Sequence, residues 1–189
     1  KLEELMEKNV AFDKDRVEDM RTAGPAILAE VEDALEDYFG DYEVFSSEEK
    51  LYVPIENFNI HFKGFVDAVV KVGDIYHLFD WKTCSWGWDS RRKAEKIVTY
   101  QLTLYKHFFC QKHNIDPEKV ETHFALLKRT AKKNRVEIFR VTSGEKKTEN
   151  ALKLLYQAIY NITKGVTIKN RLSCQKPYPC KLYKTEHCR

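Results

Sequence analysis

Two largely hydrophobic runs, residues 65–72 and 75–83, interrupted by single polar positions, meet at Gly73 and Asp74. Two such runs joined by two turn-forming residues specify a β-hairpin. With Gly73 and Asp74 as the loop, Val72 pairs with Ile75, Lys71 with Tyr76, and the ladder carries Asp67 to a position opposite Asp80. Before the hairpin, Ile27, Val31, Ala34, Leu35 and Tyr38 recur at helical spacing and predict an amphipathic helix over 25–39, with Pro25 in its first turn and Gly40 as its stop. Residues 43–55 read as a first strand, and 58–62 lead into the hairpin. An aromatic loop follows, then a basic-to-apolar helix over 90–113. Strands over 120–128 and 135–141 are joined by a basic turn at Lys132, Lys133 and Asn134, and a helix over 149–163 ends at Gly165.

Strands flanked by helices, with a hairpin rather than strict βαβ alternation, predict a mixed sheet in an α/β or α+β domain. Its core draws on Phe65, Val66, Val69, Val70, Leu78 and Phe79. Asp67, Val69, Leu78 and Asp80 fall on one face of the hairpin, and Val66, Ala68, Val70 and Phe79 on the other.

The register gives the hairpin a chemistry. Directly opposed strand residues have Cβ atoms about 4.5–5.5 Å apart, where two like charges are destabilising, so facing carboxylates call for a cation between them. Lys82 follows Asp80 by two residues and points to the same face. Two acids with a lysine on adjacent strands suit phosphodiester hydrolysis: the acids hold a divalent ion and the lysine stands near the attacking water or the developing charge. The same residues also suit a solvated charge cluster on a surface hairpin. Glu30 lies on the margin of the first helix's apolar stripe, while Asp33 and Glu36 point to solvent. It is either a further acid at the site or a flank residue.

Charge and length narrow the reading. The 189 residues, 43% of them hydrophobic, suffice for one domain with a sizeable core. No apolar run is long enough to span a membrane, and the charged start is not a signal peptide, which points to a cytoplasmic protein. The chain opens on Lys1 rather than Met, leaving room for residues or a domain before it. Net charge is +3, but residues 1–50 hold 16 acids against 6 Lys or Arg, whereas 51–189 hold 13 against 26. The later part is a candidate polyanion surface, or an ordinary lysine-rich one. Arg91, Arg92, Lys93, Lys132 and Lys133 are the candidate phosphate contacts. Trp86 and Trp88 suit either stacking on unpaired bases or plugging the core.

Gly64-x-x-Asp67, Asp80-Trp81-Lys82-Thr83 and Gln101-x-x-x-Tyr105, in that order, resemble the PD-(D/E)xK nuclease superfamily, and within it the RecB-like branch of phage exonucleases and CRISPR-associated adaptation nucleases. The resemblance runs from about residue 24 onward and leaves the first two dozen residues unexplained. It implies a restriction-endonuclease-like core, with a central mixed β-sheet flanked by helices. Asp67, Asp80 and the Trp81 carbonyl would hold Mg²⁺ or Mn²⁺, Lys82 would position or activate water, and Gln101 and Tyr105 would hold the site and the DNA strand near it. That branch adds a helical His or Glu as a further metal ligand. No histidine precedes His61 here, so Glu30 is the candidate and Glu32 its alternative.

Cys174, Cys180 and Cys188 crowd the last sixteen residues. Several members of the branch close the domain with three such cysteines and one distant cysteine around a [4Fe–4S] cluster. In this chain the gaps are wider, and Cys84 or Cys110 would be the fourth ligand. Zinc held by the three cysteines and His187, or unligated thiols, are the other readings. The expected organisation is an N-terminal helical extension over 1–23, a nuclease domain over 24–170 and a cysteine-rich tail over 171–189. The expected function is metal-dependent DNA hydrolysis, most of all an exonuclease of recombination, repair or phage DNA metabolism, nucleoid-associated or phage-encoded in a host cell. An endonuclease of the same chemistry and an inactive nucleic-acid-binding module are its rivals, and RNA stays open as a substrate.

Overall fold

The hairpin organises the molecule. In the computed structural model, which describes residues 13–166 and 180–186, β2 (His61–Val72) and β3 (Ile75–Cys84) turn at Gly73–Asp74, with Gly73 at φ +57°, a value glycine adopts without cost. Pairing runs from Val72↔Ile75 to Ala68↔Phe79 and stops there. Outside β2 lies β1 (Glu43–Pro54), antiparallel, with one irregularity between Val44 and Ser46. On the other side β3 pairs in parallel with β4 (Val120–Lys128), which pairs antiparallel with β5 (Val136–Val141), so the sheet order is β1-β2-β3-β4-β5. Parallel neighbours need a crossover. Here it consists of the short α3 (Ser90–Lys93), α4 (Lys96–His113) and a 3₁₀ turn, Pro117–Lys119.

Both sheet faces are covered at the centre, so β3 and β4 are buried along most of their length. On one face Val70, Phe79 and Ala125 meet Leu35 and Phe39 of α2 (Val31–Phe39), together with Trp81 and Ile138. On the other, Leu102 of α4 joins Phe124 and Val141, with Trp88, Val98, Tyr105 and Phe139 around them. The mixed sheet flanked by helices is the expected architecture.

Several local expectations change. The helix predicted over 25–39 is two: α1 (Lys14–Leu28), started by the Asp13 cap on the Arg16 N–H, runs through Pro25, and a break at Ala29–Glu30 separates it from α2. Proline gives up the bond to the carbonyl four residues back and crowds that carbonyl with its ring, a cost α1 bears only one turn before its end at Leu28. The helix predicted over 90–113 also breaks, at Ala94–Glu95. Phe65, expected in the core, is 43% exposed. Tyr38 is largely exposed too, and the neighbouring Phe39 takes the core position.

The last helix, α5 (Glu145–Thr163), starts earlier than predicted, because the Gly144 carbonyl accepts the N–H groups of Lys147 and Thr148. The chain divides into two compact units between Ala151 and Leu152. The first contains the sheet. The second comprises the rest of α5, closed by Gly165 at φ +63°, and a turn at 181–186. α1 crosses residue 23 without a break.

Candidate active site

The named residues converge where β2 and β3 part. β3 stays bonded to β4 as far as Cys84↔Lys128, well past its last pairing with β2. In the gap a side chain replaces the missing ladder bond: Asp67 Oδ2 accepts the Trp81 backbone N–H at 2.7 Å. Asp67 is half-buried, and Asp80, only 3% exposed, lies on the α4 side of β3.

Around Asp80 the contacts differ between its two oxygens. Oδ1 accepts from Gln101 Nε2 at 2.6 Å, and that amide also reaches Tyr105 Oη at 3.2 Å. Gln101 and Tyr105 share one face of α4, as their i, i+4 spacing requires. Oδ2 is buried with Lys82 Nζ 2.5 Å away, a close ion pair. The Lys82 ammonium lies 5.8 Å from the centre of the Phe124 ring.

Burial pushes the Asp80 carboxyl above the ordinary carboxylate range. The Lys82 ammonium and the Gln101 amide pull it back and the Asp67 charge pushes it up again, but burial wins. A carboxylate so placed is under-compensated. A buried carboxylate beside a second acid is a donor set that a hard divalent cation fits.

Gly64 explains the first motif residue. A Cβ there would stand 2.8 Å from Tyr105 Cε1 and 3.1 Å from Phe62 Cε1, so only glycine lets the Tyr105 ring approach β2 this closely. Phe62 in turn stacks on Phe108 at 4.1 Å, seating this end of β2 on α4.

Other expected site residues go elsewhere. Glu30 is not brought to the pair. Its Oε2 accepts the Arg135 backbone N–H at 2.7 Å and its Oε1 lies 3.3 Å from Arg135 Nε. Arg135 is bonded to Lys128, the partner of Cys84, which is four residues along β3 from Asp80, or about 13 Å, and two strands across. α2 also packs on the Phe79 face, opposite the one that holds Asp80. Glu32 is exposed on α2.

Among the candidate nucleic-acid contacts, Trp86 is 78% exposed, whereas Trp88 is packed on Phe124 and Phe139 with the Arg92 guanidinium 4.9 Å from its ring centre. Lys93 is committed to Glu137, at 2.5 Å, while Lys128 lies 3.5 Å from the other Glu137 oxygen. Arg91, Arg92, Lys132 and Lys133 remain exposed. Of the cysteines, Cys84 is half-buried, Cys110 buried and Cys180 exposed, all as thiols. Burial raises the Cys110 thiol to about 11. Cys174, Cys188 and His187 lie outside the described residues, and with them the expected cluster. A second group, His77, Glu121 and His123, escaped the sequence reading because only the β3–β4 register brings it together.

The family model of the PD-(D/E)XK nuclease superfamily matches residues 1–188, and the chain belongs to that superfamily. Its fold is similar to a crystal structure from Eubacterium rectale provisionally named an exonuclease, with TM-score 0.54 and 14% identity over 85% of this chain and 61% of that one. The crystal structure of SSO0001 matches with TM-score 0.44 and 14% identity over 81% of this chain and 64% of that one. The chain thus spans less than two thirds of either protein. No curated protein matches it. Among the described residues no helix is long and apolar enough to cross a membrane.

Proposed function

We propose that the protein is a divalent-metal-dependent deoxyribonuclease, and specifically an exonuclease of the RecB-like kind. The observation that carries this reading is the Asp80 carboxylate: buried, held above the ordinary carboxylate range, with Lys82 on one oxygen, Gln101 on the other and Asp67 beside it. The provisional name of the Eubacterium rectale protein supports the exonuclease reading.

Asp67, Asp80 and the Trp81 carbonyl would hold Mg²⁺ or Mn²⁺. When bound, the ion makes water nucleophilic near neutral pH and offsets charge on the scissile phosphate. Lys82, already against Asp80, orients the water and keeps a positive charge where the pentavalent phosphate accumulates negative charge. Gln101 fixes the Asp80 carboxylate in rotation through Oδ1, while Oδ2 meets Lys82. Tyr105 Oη accepts from the same Gln101 Nε2 and holds that amide in place. Trp86 stacks on an unpaired base, and Arg91, Arg92, Lys132 and Lys133 follow the phosphate backbone.

The test is digestion of end-labelled linear and closed circular DNA, single- and double-stranded, with Mg²⁺ or Mn²⁺, by the native chain and by Asp80→Ala. Loss of linear DNA alone, abolished by the substitution, is the expected result. Cleavage of circles makes it an endonuclease, and no cleavage of any substrate makes it a binding module.

A further inference from the structure

Behind the sheet from Asp80, on the face covered by α2, three side chains turn their donor atoms toward one point. His77 Nδ1 and His123 Nε2 are 3.0 Å apart, and Glu121 Oε2 lies 3.6 Å from the first and 3.8 Å from the second. The two longer separations exceed a hydrogen bond. Oε1 of the same carboxylate is occupied by Arg140 Nη2 at 2.8 Å, which leaves Oε2 aimed at both rings and bonded to neither.

These separations have a size. A point about 0.7 Å above the plane of three atoms 3.0, 3.6 and 3.8 Å apart lies about 2.1 Å from each, the length of a zinc–imidazole or zinc–carboxylate bond, with a fourth position open on the side away from them. A hydrogen bond between the imidazoles explains only the shortest side and leaves the approach of Glu121 Oε2 to both rings without a cause. Two imidazoles with one carboxylate suit zinc, whereas magnesium prefers oxygen ligands alone. Phe39, Tyr38 and Phe79 ring the pair, with Phe39 centred 4.6 Å from His77 and 5.4 Å from His123. Such an apolar shell excludes water from most of the site and favours ligation of the ion.

We propose that His77, Glu121 and His123 form a zinc site separate from the Asp67–Asp80 pair and independent of the nuclease reading. Glu121, with its side chain 24% exposed, leaves water access to the fourth position. The job is structural. His77 and Glu121 are register partners on β3 and β4, and His123 is the partner of Phe79, so the ion staples the strand carrying Asp80 and Lys82 to its parallel neighbour.

The full chain, stripped with a chelator and dialysed, is titrated with Zn²⁺ and, separately, with Co²⁺ as a spectroscopic stand-in. Elemental analysis and thermal melting are run on the native protein, Glu121→Gln and His77→Asn. The expected result is one zinc equivalent fewer in each variant than in the native protein. Zinc at 100-fold over its dissociation constant should raise the native Tm by about 5–10 °C and leave the Glu121→Gln Tm almost unmoved. Cobalt should give a tetrahedral spectrum without the thiolate charge-transfer band that cysteine ligation carries. Equal zinc content and equal Tm response in native and Glu121→Gln protein would overturn the proposal. Glu121→Gln decides the matter if His77→Asn fails to fold, since the amide still accepts from Arg140.

Discussion

The Trp81 backbone N–H donates to Asp67 Oδ2 at 2.7 Å, at the point where β2 and β3 cease to pair. One carboxylate thus does two jobs, replacing a ladder bond and facing Asp80, and two substitutions separate them. Asp67→Asn keeps an oxygen acceptor for Trp81 but loses the charge. Its Tm should stay within about 2–4 °C of native, the equivalent of about 1 kcal/mol, while the proposed nuclease activity falls by at least about 10²-fold. Asp67→Ala should lose the same activity and in addition about 1–3 kcal/mol of stability, from the orphaned N–H. Urea unfolding and digestion assays on the two variants read both effects; full activity in Asp67→Asn would remove Asp67 from the site.

Gly64 makes an equally specific demand. Because its missing Cβ makes room for the Tyr105 ring, Gly64→Ala should displace Tyr105 and slacken the Gln101 amide that it shares. Activity should drop about tenfold or more, since misplacement of about 1 Å is costly in a positioned site. Tyr105→Phe in the Gly64→Ala background should add little to the loss, and a full additive loss in that double variant would separate the two residues.

Away from the site, Glu49 ties β1 to the end of α4, its Oε1 2.7 Å from both Lys112 Nζ and His113 Nε2. Burial works to raise its carboxyl, but the hydrogen bonds with Lys112 and His113 and the Lys112 charge outweigh burial and hold it below the ordinary value of 4.5. A folded-state value below the unfolded one contributes stability that is complete above pH 4.5 and is lost as pH falls through the lowered value. Glu49→Gln should therefore cost about 1 kcal/mol at pH 7, discounted for the partly exposed Lys112, and close to nothing once the native Glu49 is protonated. Urea unfolding at pH 7 and near pH 3 compares them; a pH-independent difference would mean that packing, and not charge, is what Glu49 supplies.

Thr103 and Ser143 are both buried, and their hydroxyls lie 3.0 Å apart between α4 and the segment after β5. Thr103→Val should cost about 1–3 kcal/mol by stranding the Ser143 hydroxyl, and adding Ser143→Ala should recover part of that loss. A double-mutant cycle measured by denaturant unfolding gives the coupling directly, with strict additivity as the result that would refute it.

The hairpin was legible because its information is local. Gly73–Asp74 sets the turn, and a period of two sets the register from Val72↔Ile75 to Ala68↔Phe79. Lys82 beside Asp80, and Gln101 with Tyr105 on one helical face, follow from spacing of two and four residues. What stayed hidden depends on distant partners. Glu30 could be placed on its helix margin, but not on Arg135, whose position needs β5 docked beside β4. Lys93 reads as a free cation until Glu137 arrives from β5. His77, Glu121 and His123 occupy alternating positions on two strands, and nothing in either segment says that those strands are parallel neighbours. Phe65 fits the core pattern, but the sheet face that it occupies there is not fully covered.

The parting of β2 from β3 also leaves the two acids on strands that no ladder bond joins at their level, so the Asp67–Trp81 hydrogen bond holds the strands together there. Asp80 and Lys82 sit on β3, which is bonded to β4 and, through Gln101, to α4, whereas Asp67 sits on the long β1–β2 ribbon. That ribbon is seated on α4 at Gly64–Tyr105, Phe62–Phe108 and Glu49–Lys112. Residues that never touch either acid, Phe62 and Glu49 among them, thereby share in setting the span between Asp67 and Asp80.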